Sequence, residues 1–280
     1  MVKCLGIFRE PQNSPQREPD DALILKAVME NLELQRVEVS LLAAGQSDSA
    51  DLAGYDMIVP MCETYPRLMR LDALARPGGP LIVNPASAVL NCYRTRMIAL
   101  FDKTPELRYP ETFVRPTSRA LELAVFTEGG AWIKRGDVHN TCARDVVFAR
   151  GRREAAEVLS DFERREITEV VVQEHVEGDL IKFYGVGPGQ WFTWFYHDPA
   201  SARRLSFEIE DLAFQGETAA RAVGLEIFGG DAIVSPEGRI QVIDINSWPS
   251  FARVRAEAAV QIARRLRSRL RQRERAGRPS

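Results

Sequence analysis

Histidine and cysteine are scarce in this sequence, and neither is spaced for chemistry. The three histidines, His139, His175 and His197, lack the i, i+4 interval that sets two imidazoles on one helix face around zinc. The four cysteines, Cys4, Cys62, Cys92 and Cys142, contain no C-x-x-C pair and read as reduced thiols of a cytoplasmic chain. There is no G-x-x-x-x-G-K-S/T loop for a P-loop nucleotide site and no G-x-S-x-G elbow. No apolar run approaches a membrane span, and the start Met1-Val2-Lys3-Cys4 carries no signal-peptide pattern. The net charge of −2 argues against a general nucleic-acid binder.

Lysine is the most telling scarcity. Five lysines stand among 37 basic residues, which leaves 32 arginines. A chain that prefers arginine this strongly marks any lysine inside an apolar stretch. Two qualify: Lys134 in Ala-Trp-Ile-Lys and Lys182 in Leu-Ile-Lys-Phe-Tyr. The remaining composition, 45% hydrophobic and 27% charged over 280 residues, suits a soluble globular chain of one large or two to three small domains.

The first 90 residues alternate strand and helix. Strands are expected at Lys3–Phe8, Val37–Leu42, Met57–Met61 and Pro80–Val83, with helices at Asp20–Leu34, capped by Asp20, and Tyr65–Ala75. Such a unit is a small parallel sheet whose ligand edge lies at the strand C-termini, at Arg9, Cys62-Glu63 and Asn84. A helix Ser87–Leu100 carrying Arg94 and Arg96 follows, then a strand near Pro110–Val114, a helix near Arg119–Phe126 and the strand of Lys134. Beyond it come a charged helix Arg150–Arg165, strands Val170–His175, Asp179–Gly187 and Trp191–Tyr196, and a helix Gly216–Val223. Gly185-Val186-Gly187-Pro188-Gly189 mimics a dinucleotide loop, yet it precedes a strand and holds a proline, so a hairpin turn is expected. A helix from about Val254 ends in a tail with eight arginines between Arg264 and Arg278, read as a solvated helix end; a polyanion contact is the lesser reading.

The segment Asp231–Asn246 is the most specific. Two β-branched runs flank Ser235-Pro236-Glu237-Gly238, the pattern of a hairpin. Asp244 and Asn246 alternate onto one face. A two-residue loop at Pro236-Glu237 pairs Asp231 opposite Val242, diagonal to Asp244 on that same face. Three oxygen ligands then converge on apolar strands, where unpaired carboxylates are costly and a hard cation such as Mg²⁺ compensates. The bland alternative is a solvated face with scattered acids.

A basic helix, an isolated strand lysine, an apolar strand ending Gln173-Glu174-His175-Val176 and the acidic hairpin follow in fixed order. This order resembles the ATP-grasp superfamily over roughly residues 84 to 255. The run Ile243-Asp244-Ile245-Asn246-Ser247-Trp248-Pro249 is similar to the D-I-N-x-x-P signature of the branch holding ribosomal-protein glutamate ligases, glutathione synthetases and inositol trisphosphate kinases. The resemblance implies an α/β (α+β) ATP-grasp fold with an N-terminal Rossmann-like domain. Its units are 1–86, a central subdomain 87–174 and a C-terminal subdomain 175–280 with the metal site.

It further implies ATP held by Arg96, Lys134, Gln173, Glu174, His175, Val176 and Asp179, with the Val176 N–H facing the adenine ring. Asp231, Asp244 and Asn246 would bind two Mg²⁺ ions, with Mn²⁺ as a substitute, and Lys182, Arg203, Arg204 and His139 would meet the substrate. Two departures stand out: arginine at 96 replaces a lysine, and the loop Arg135–Thr141 holds a single glycine. The activity expected is a ligase that forms an acyl phosphate for an amine or thiol. The alternatives are a small-molecule kinase and a non-catalytic nucleotide-binding module. The partners are ATP and a small-molecule or peptide substrate; the reading accommodates a homo-oligomer, and the sequence names neither substrate nor oligomeric state.

Overall fold

The strand Lys3–Ile7 (β1) is buried at every position after its first, which a sheet covered on both faces demands. The computed structural model describes residues 2–13, 18–127, 129–137 and 142–276. After β1 come helix α1 (Glu18–Glu33), β2 (Glu38–Leu42), β3 (Met57–Pro60), helix α2 (Tyr65–Leu74) and the short β4 (Leu81–Ile82). All pairings in this sheet are parallel, in the order β2-β1-β3-β4. Helix α1 begins two residues before the expected Asp20 cap. Asp20 lies in its first turn, where a carboxylate suits the positive end of the helix dipole, and pairs with Arg255 at 2.5 Å.

The single helix expected at Ser87–Leu100 is two: α3 (Ala86–Asn91) and α4 (Arg94–Phe101). Tyr93 adopts extended backbone between them (φ −64°, ψ 128°), so Arg94 opens α4. The second sheet comprises β5 (Thr112–Pro116), β6 (Ala131–Arg135), β7 (Val146–Ala149) and β8 (Glu169–Glu174), with helix α5 (Arg152–Arg164) before β8. It is antiparallel, ordered β5-β8-β6-β7. Where a helix was expected at Arg119–Phe126, two 3₁₀ turns lie at Thr117–Glu122 and Ala124–Thr127.

The third sheet holds β9 (Asp179–Val186), β10 (Trp191–Tyr196), helix α6 (Ile209–Val223), β11 (Ile227–Val234) and β12 (Ile240–Ser247), followed by helix α7 (Arg255–Ala276). It too is antiparallel, ordered β10-β9-β11-β12. The connection of β9 to β10 is the hairpin turn expected: Pro188 (φ −43°, ψ 120°) and Gly189 (φ 90°, ψ −1°) form a type II turn whose third position favours glycine. One face of this sheet packs Phe183, Phe228 and Ile245 with Met97, Phe101 and Leu212 of α4 and α6. On the opposite face Tyr184, Val186 and Ile227 share a core with Val28 of α1 and Ile262 and Leu266 of α7.

Asn84, at the end of β4, fastens the first sheet to the third. Its amide nitrogen donates to the Ile227 carbonyl (2.7 Å) and Ser247 Oγ (2.9 Å), and its oxygen accepts from the Glu226 and Ile227 amides (2.8 and 2.9 Å). Asn84 is fully buried, so its loss removes four buried hydrogen bonds at once. Asn84→Ala should therefore lower the unfolding free energy by roughly 3 kcal/mol, read as a fall in the urea midpoint at unchanged slope.

Candidate functional site

The β11–β12 hairpin departs from the expected register in two ways that cancel. Its loop is longer, with the Ser235 amide donating to the Arg239 carbonyl and Val234 paired with Ile240. Asp231 therefore does not face Val242; Ala232 does. A β-bulge at Ile243 then shifts the ladder, so Asp231 stands directly opposite Asp244. Without the bulge, Asp244 would pair with Gly230 and point to the helix-covered face. Space is tight beside the bulge: a Cβ on Gly230 would lie 2.5 Å from the Asp244 carbonyl and 2.4 Å from the Phe183 ring.

On the face opposite α4 and α6, side chains form successive rows. Leu180 lies opposite Ile233, Lys182 opposite Asp231 and thence Asp244, and Tyr184 opposite Gly229 and thence Asn246. Rows are ~7 Å apart, two residues along a strand. Within the middle row Lys182 Nζ meets Asp231 Oδ1 at 2.6 Å. Asn246 Oδ1 is buried with no hydrogen-bond partner among the described residues. Among those residues no cluster of three or more His, Cys, Asp or Glu forms a metal site. Two carboxylates and one orphaned amide oxygen on one face are the hard donor set that Mg²⁺ takes.

Cations converge on this row from the second sheet and from α4. Lys134 is buried; its Nζ donates to Gln173 Oε1 (2.7 Å) and to the carbonyl of the bulged Ile243 (3.2 Å). Burial lowers the Lys134 pKa from an ordinary 10.5 to about 8; Asp244 opposes the fall, Arg94 adds to it and Asp231 opposes it. Arg94, only 2% exposed, sends its guanidinium to the Arg135 carbonyl (3.1 Å) and to within 3.6 Å of Asp244 Oδ2. Arg96 is exposed and joins none of this. The break at Tyr93 explains the difference, because it turns position 94 inward.

Beside Lys134 a cavity of about 590 Å³ opens between the second and third sheets. Trp132, Val146, Leu180, Ile233 and Ile243 give it apolar walls, and Gln173, Glu174, His175, Val176 and Asp179 lie along its lining. Its size and its flat, apolar sides suit an aromatic base. The Val176 amide has no hydrogen-bond partner among the described residues. His175 accepts from Trp132 Nε1 (3.2 Å) and packs 4.9 Å from the Phe148 ring. Gln173 spends its amide on Lys134 and Thr112.

Asp179 works through the backbone: it is buried and accepts from the Arg203 and Leu205 amides (2.7 and 2.8 Å). That clamp spans Arg204, whose φ of 58° is left-handed, and holds Arg203 at the cavity lining. Arg204 is exposed and does not line the cavity. His139, with residues 138–141 of the single-glycine loop, lies outside the described residues.

The C-terminal edge of the first sheet closes the far end of the row. Arg9 pairs with Glu63 (2.5 Å) and Asp21 (3.2 Å) and donates to the Trp248 carbonyl (2.5 Å), just beyond Asn246. The thiols take no part: burial pushes both Cys4 and Cys62 up to about 12, far from thiolate. Sequence reasoning placed Arg9 on the ligand edge of the first sheet but missed Arg94 as a site residue, because the helix break hid it.

No family model matches the chain, and no curated protein sequence does. Solved structures do. The crystal structure of a RimK domain protein ATP-grasp from Sphaerobacter thermophilus superposes with a TM-score of 0.68 at 16% identity, covering 93% of this chain and 98% of that one. D-alanyl-alanine synthetase A of Vibrio cholerae gives 0.70 at 12% identity, covering 97% and 98%. The D-alanine–D-alanine ligase of Bacillus anthracis complexed with ATP gives 0.69 at 11% identity, covering 99% and 100%. The chain has the ATP-grasp fold.

Lys134 supplies a pH signature. Its folded pKa lies below its unfolded one, so the unfolded chain binds the extra proton between pH 8 and 10.5. The stability of wild type relative to Lys134→Met should rise through that window, by about 3 kcal/mol in total. The buried thiols, raised from 9.0, pull stability the other way in both proteins and cancel in the difference between their urea unfolding free energies.

Proposed function

We propose that the chain is an ATP- and Mg²⁺-dependent ligase that activates a carboxylate as an acyl phosphate for attack by an amine or thiol. The observation that carries this reading is the bulge-aligned pair Asp231–Asp244, with Asn246 one row on, reached by Lys134 and Arg94 from other elements. The ATP-grasp ligases with which the chain shares its fold support it. In this reading the cavity takes the adenine, the Val176 amide donates to the ring, and the phosphates run from Lys134 toward the acidic row.

When bound, Mg²⁺ would neutralise charge developing on the transferring phosphoryl group. Lys134 and Arg94 add fixed positive charge around the phosphate oxygens in a buried setting, where it acts strongly. Lys182 is the cation nearest the reacting carboxylate. It pairs with Asp231 (2.6 Å); with Asp231 holding Mg²⁺, its ammonium would be available to a substrate carboxylate oxygen. In this reading segments 1–86, 87–174 and 175–280 are an N-terminal α/β domain, a central subdomain and a C-terminal subdomain with the metal site. His139 and Arg203 remain candidates for the substrate side.

Mg-ATP should stabilise the protein by mass action, about 2.7 kcal/mol at a hundredfold excess over Kd. Asp231→Asn and Asp244→Asn should each cut turnover by roughly 100-fold or more. Arg94→Met should weaken ATP binding, whereas Arg96→Met should leave it near wild type. A metal role for the hairpin is wrong if either Asn variant keeps near-normal Mg²⁺-supported rates. Incubation with γ-labelled Mg-ATP and metabolite pools tests the reaction type. Label in free phosphate supports the ligase; label retained on a stable product identifies a kinase.

A further inference from the structure

The third sheet has an edge that the site just described leaves unused. Among the described residues β10 pairs with β9 alone. The His197 amide donates to the Leu180 carbonyl (2.9 Å), which sets the alternation of that ladder. Trp191, Thr193 and Phe195 therefore turn their backbone groups toward β9, and Phe192, Trp194 and Tyr196 turn theirs to the open side. None of those three has a backbone partner on that side among the described residues. The register runs from Trp191 to Tyr196 without a bulge.

An open edge pairs with another strand unless something blunts it. The other edges are blunted. β12 is bulged, and its Val242 amide donates to the Arg108 carbonyl (2.9 Å). β5 carries Arg115 and Pro116, β2 opens on the exposed Glu38, and β4 and β7 are only two and four residues long. β10 has none of these devices: Trp191-Phe192-Thr193-Trp194-Phe195-Tyr196 holds no charge, proline or glycine, and all six residues are half-buried. Trp194 packs on Phe207 (5.1 Å) and Tyr196 (5.4 Å), and Phe192 stacks on Phe183 (5.7 Å). Ile209, 50% exposed, shares a face of α6 with Gly216, where a Cβ would stand 3.0 Å from the Phe192 ring. The apolar surface thus continues from the strand onto the helix.

We propose that two copies of this chain associate through β10, antiparallel across a twofold axis at Trp194, and join their four-stranded sheets into one of eight strands. The strand is complementary to itself in that arrangement. Trp194 faces its own copy, Phe192 faces Tyr196, and Thr193 faces Phe195, so aromatic and β-branched residues meet at every position. A twofold axis sets central residues opposite their like, which would repel if charged; this strand has no charge to oppose. Each copy offers the amides and carbonyls of Phe192, Trp194 and Tyr196, so three donors and three acceptors from each close six hydrogen bonds. The small net charge of −2 leaves little long-range repulsion between copies. The edge lies opposite β12, the strand of Asp244, and the association does not depend on the reaction catalysed.

The test follows the full chain by sedimentation velocity between about 1 and 100 µM, where mass action moves a reversible dimer. Wild type should pass from one chain mass to two. Tyr196→Pro removes an outward amide and spares the β9–β10 ladder, since an edge strand tolerates proline where the missing N–H faces away from the sheet. It deletes two of the six bonds and should weaken association roughly tenfold or more. Ile209→Lys puts a charge on the apolar rim and should weaken it as well, with a single cooperative unfolding transition retained. Hydrogen exchange read residue by residue should show the Phe192, Trp194 and Tyr196 amides slowing as concentration rises, with Thr193 and Phe195 slow throughout. A chain that stays monomeric across the range overturns the proposal. So does a dimer that no folded variant weakens, or one whose three outward amides exchange at a rate independent of concentration.

Discussion

A single inserted residue organises the site. The bulge at Ile243 turns Asp244 from the helix-covered face of the third sheet to the face that carries Asp231. It also frees the Ile243 carbonyl from the ladder, and Lys134 uses that oxygen as one of its two hydrogen-bond partners. One backbone irregularity thus aligns the acids and docks the lysine of another sheet. Position 230 beside the bulge has room for glycine alone, because a Cβ there would meet the Asp244 carbonyl and the Phe183 ring.

The arrangement is unfavourable for stability by itself. Lys134 and Arg94 are buried cations, and burying a charge costs more than a surface pair returns. Lys134 shows the cost directly in its depressed pKa. Both cations and both carboxylates are directed at one volume, which an adjoining cavity with apolar walls extends. In the proposed reading, a polyanion with a flat base would fill that volume and relieve the charge. Buried cations and carboxylates facing one another beside a cavity are the mark of a functional site.

Much of this was legible in the sequence, for identifiable reasons. Period-two apolar runs and turn residues gave most of the strands within a residue or two but missed β7, and the scarcity of lysine isolated Lys134 and Lys182 before any fold was considered. The shared face of Asp231 and Asp244 was expected, but from a shorter loop and an unbroken ladder; the true loop and the bulge offset one another. Bulges leave little trace in residue patterns, because the extra residue here is an isoleucine like its neighbours. The break between α3 and α4 was equally hidden. Cys92 and Tyr93 are not helix breakers, and Tyr93 turns extended in a tertiary setting where its hydroxyl reaches the Glu63 carbonyl (3.0 Å). That is why Arg96 was favoured over Arg94. Asp179 shows a third limit: a buried acid near a cavity can serve a loop backbone instead of a ligand.

The central claim is that the bulge-aligned face holds nucleotide phosphate through a metal. Equilibrium dialysis with a non-hydrolysable ATP analogue measures it most directly, comparing wild type with a variant carrying alanine at Asp231, Asp244 and Asn246 together. The account predicts that Mg²⁺ tightens binding to wild type by about 100-fold or more, equivalent to ~2.7 kcal/mol, and that the triple variant binds the metal-loaded and metal-free analogue alike. Equal Mg²⁺ dependence in the two proteins would contradict it.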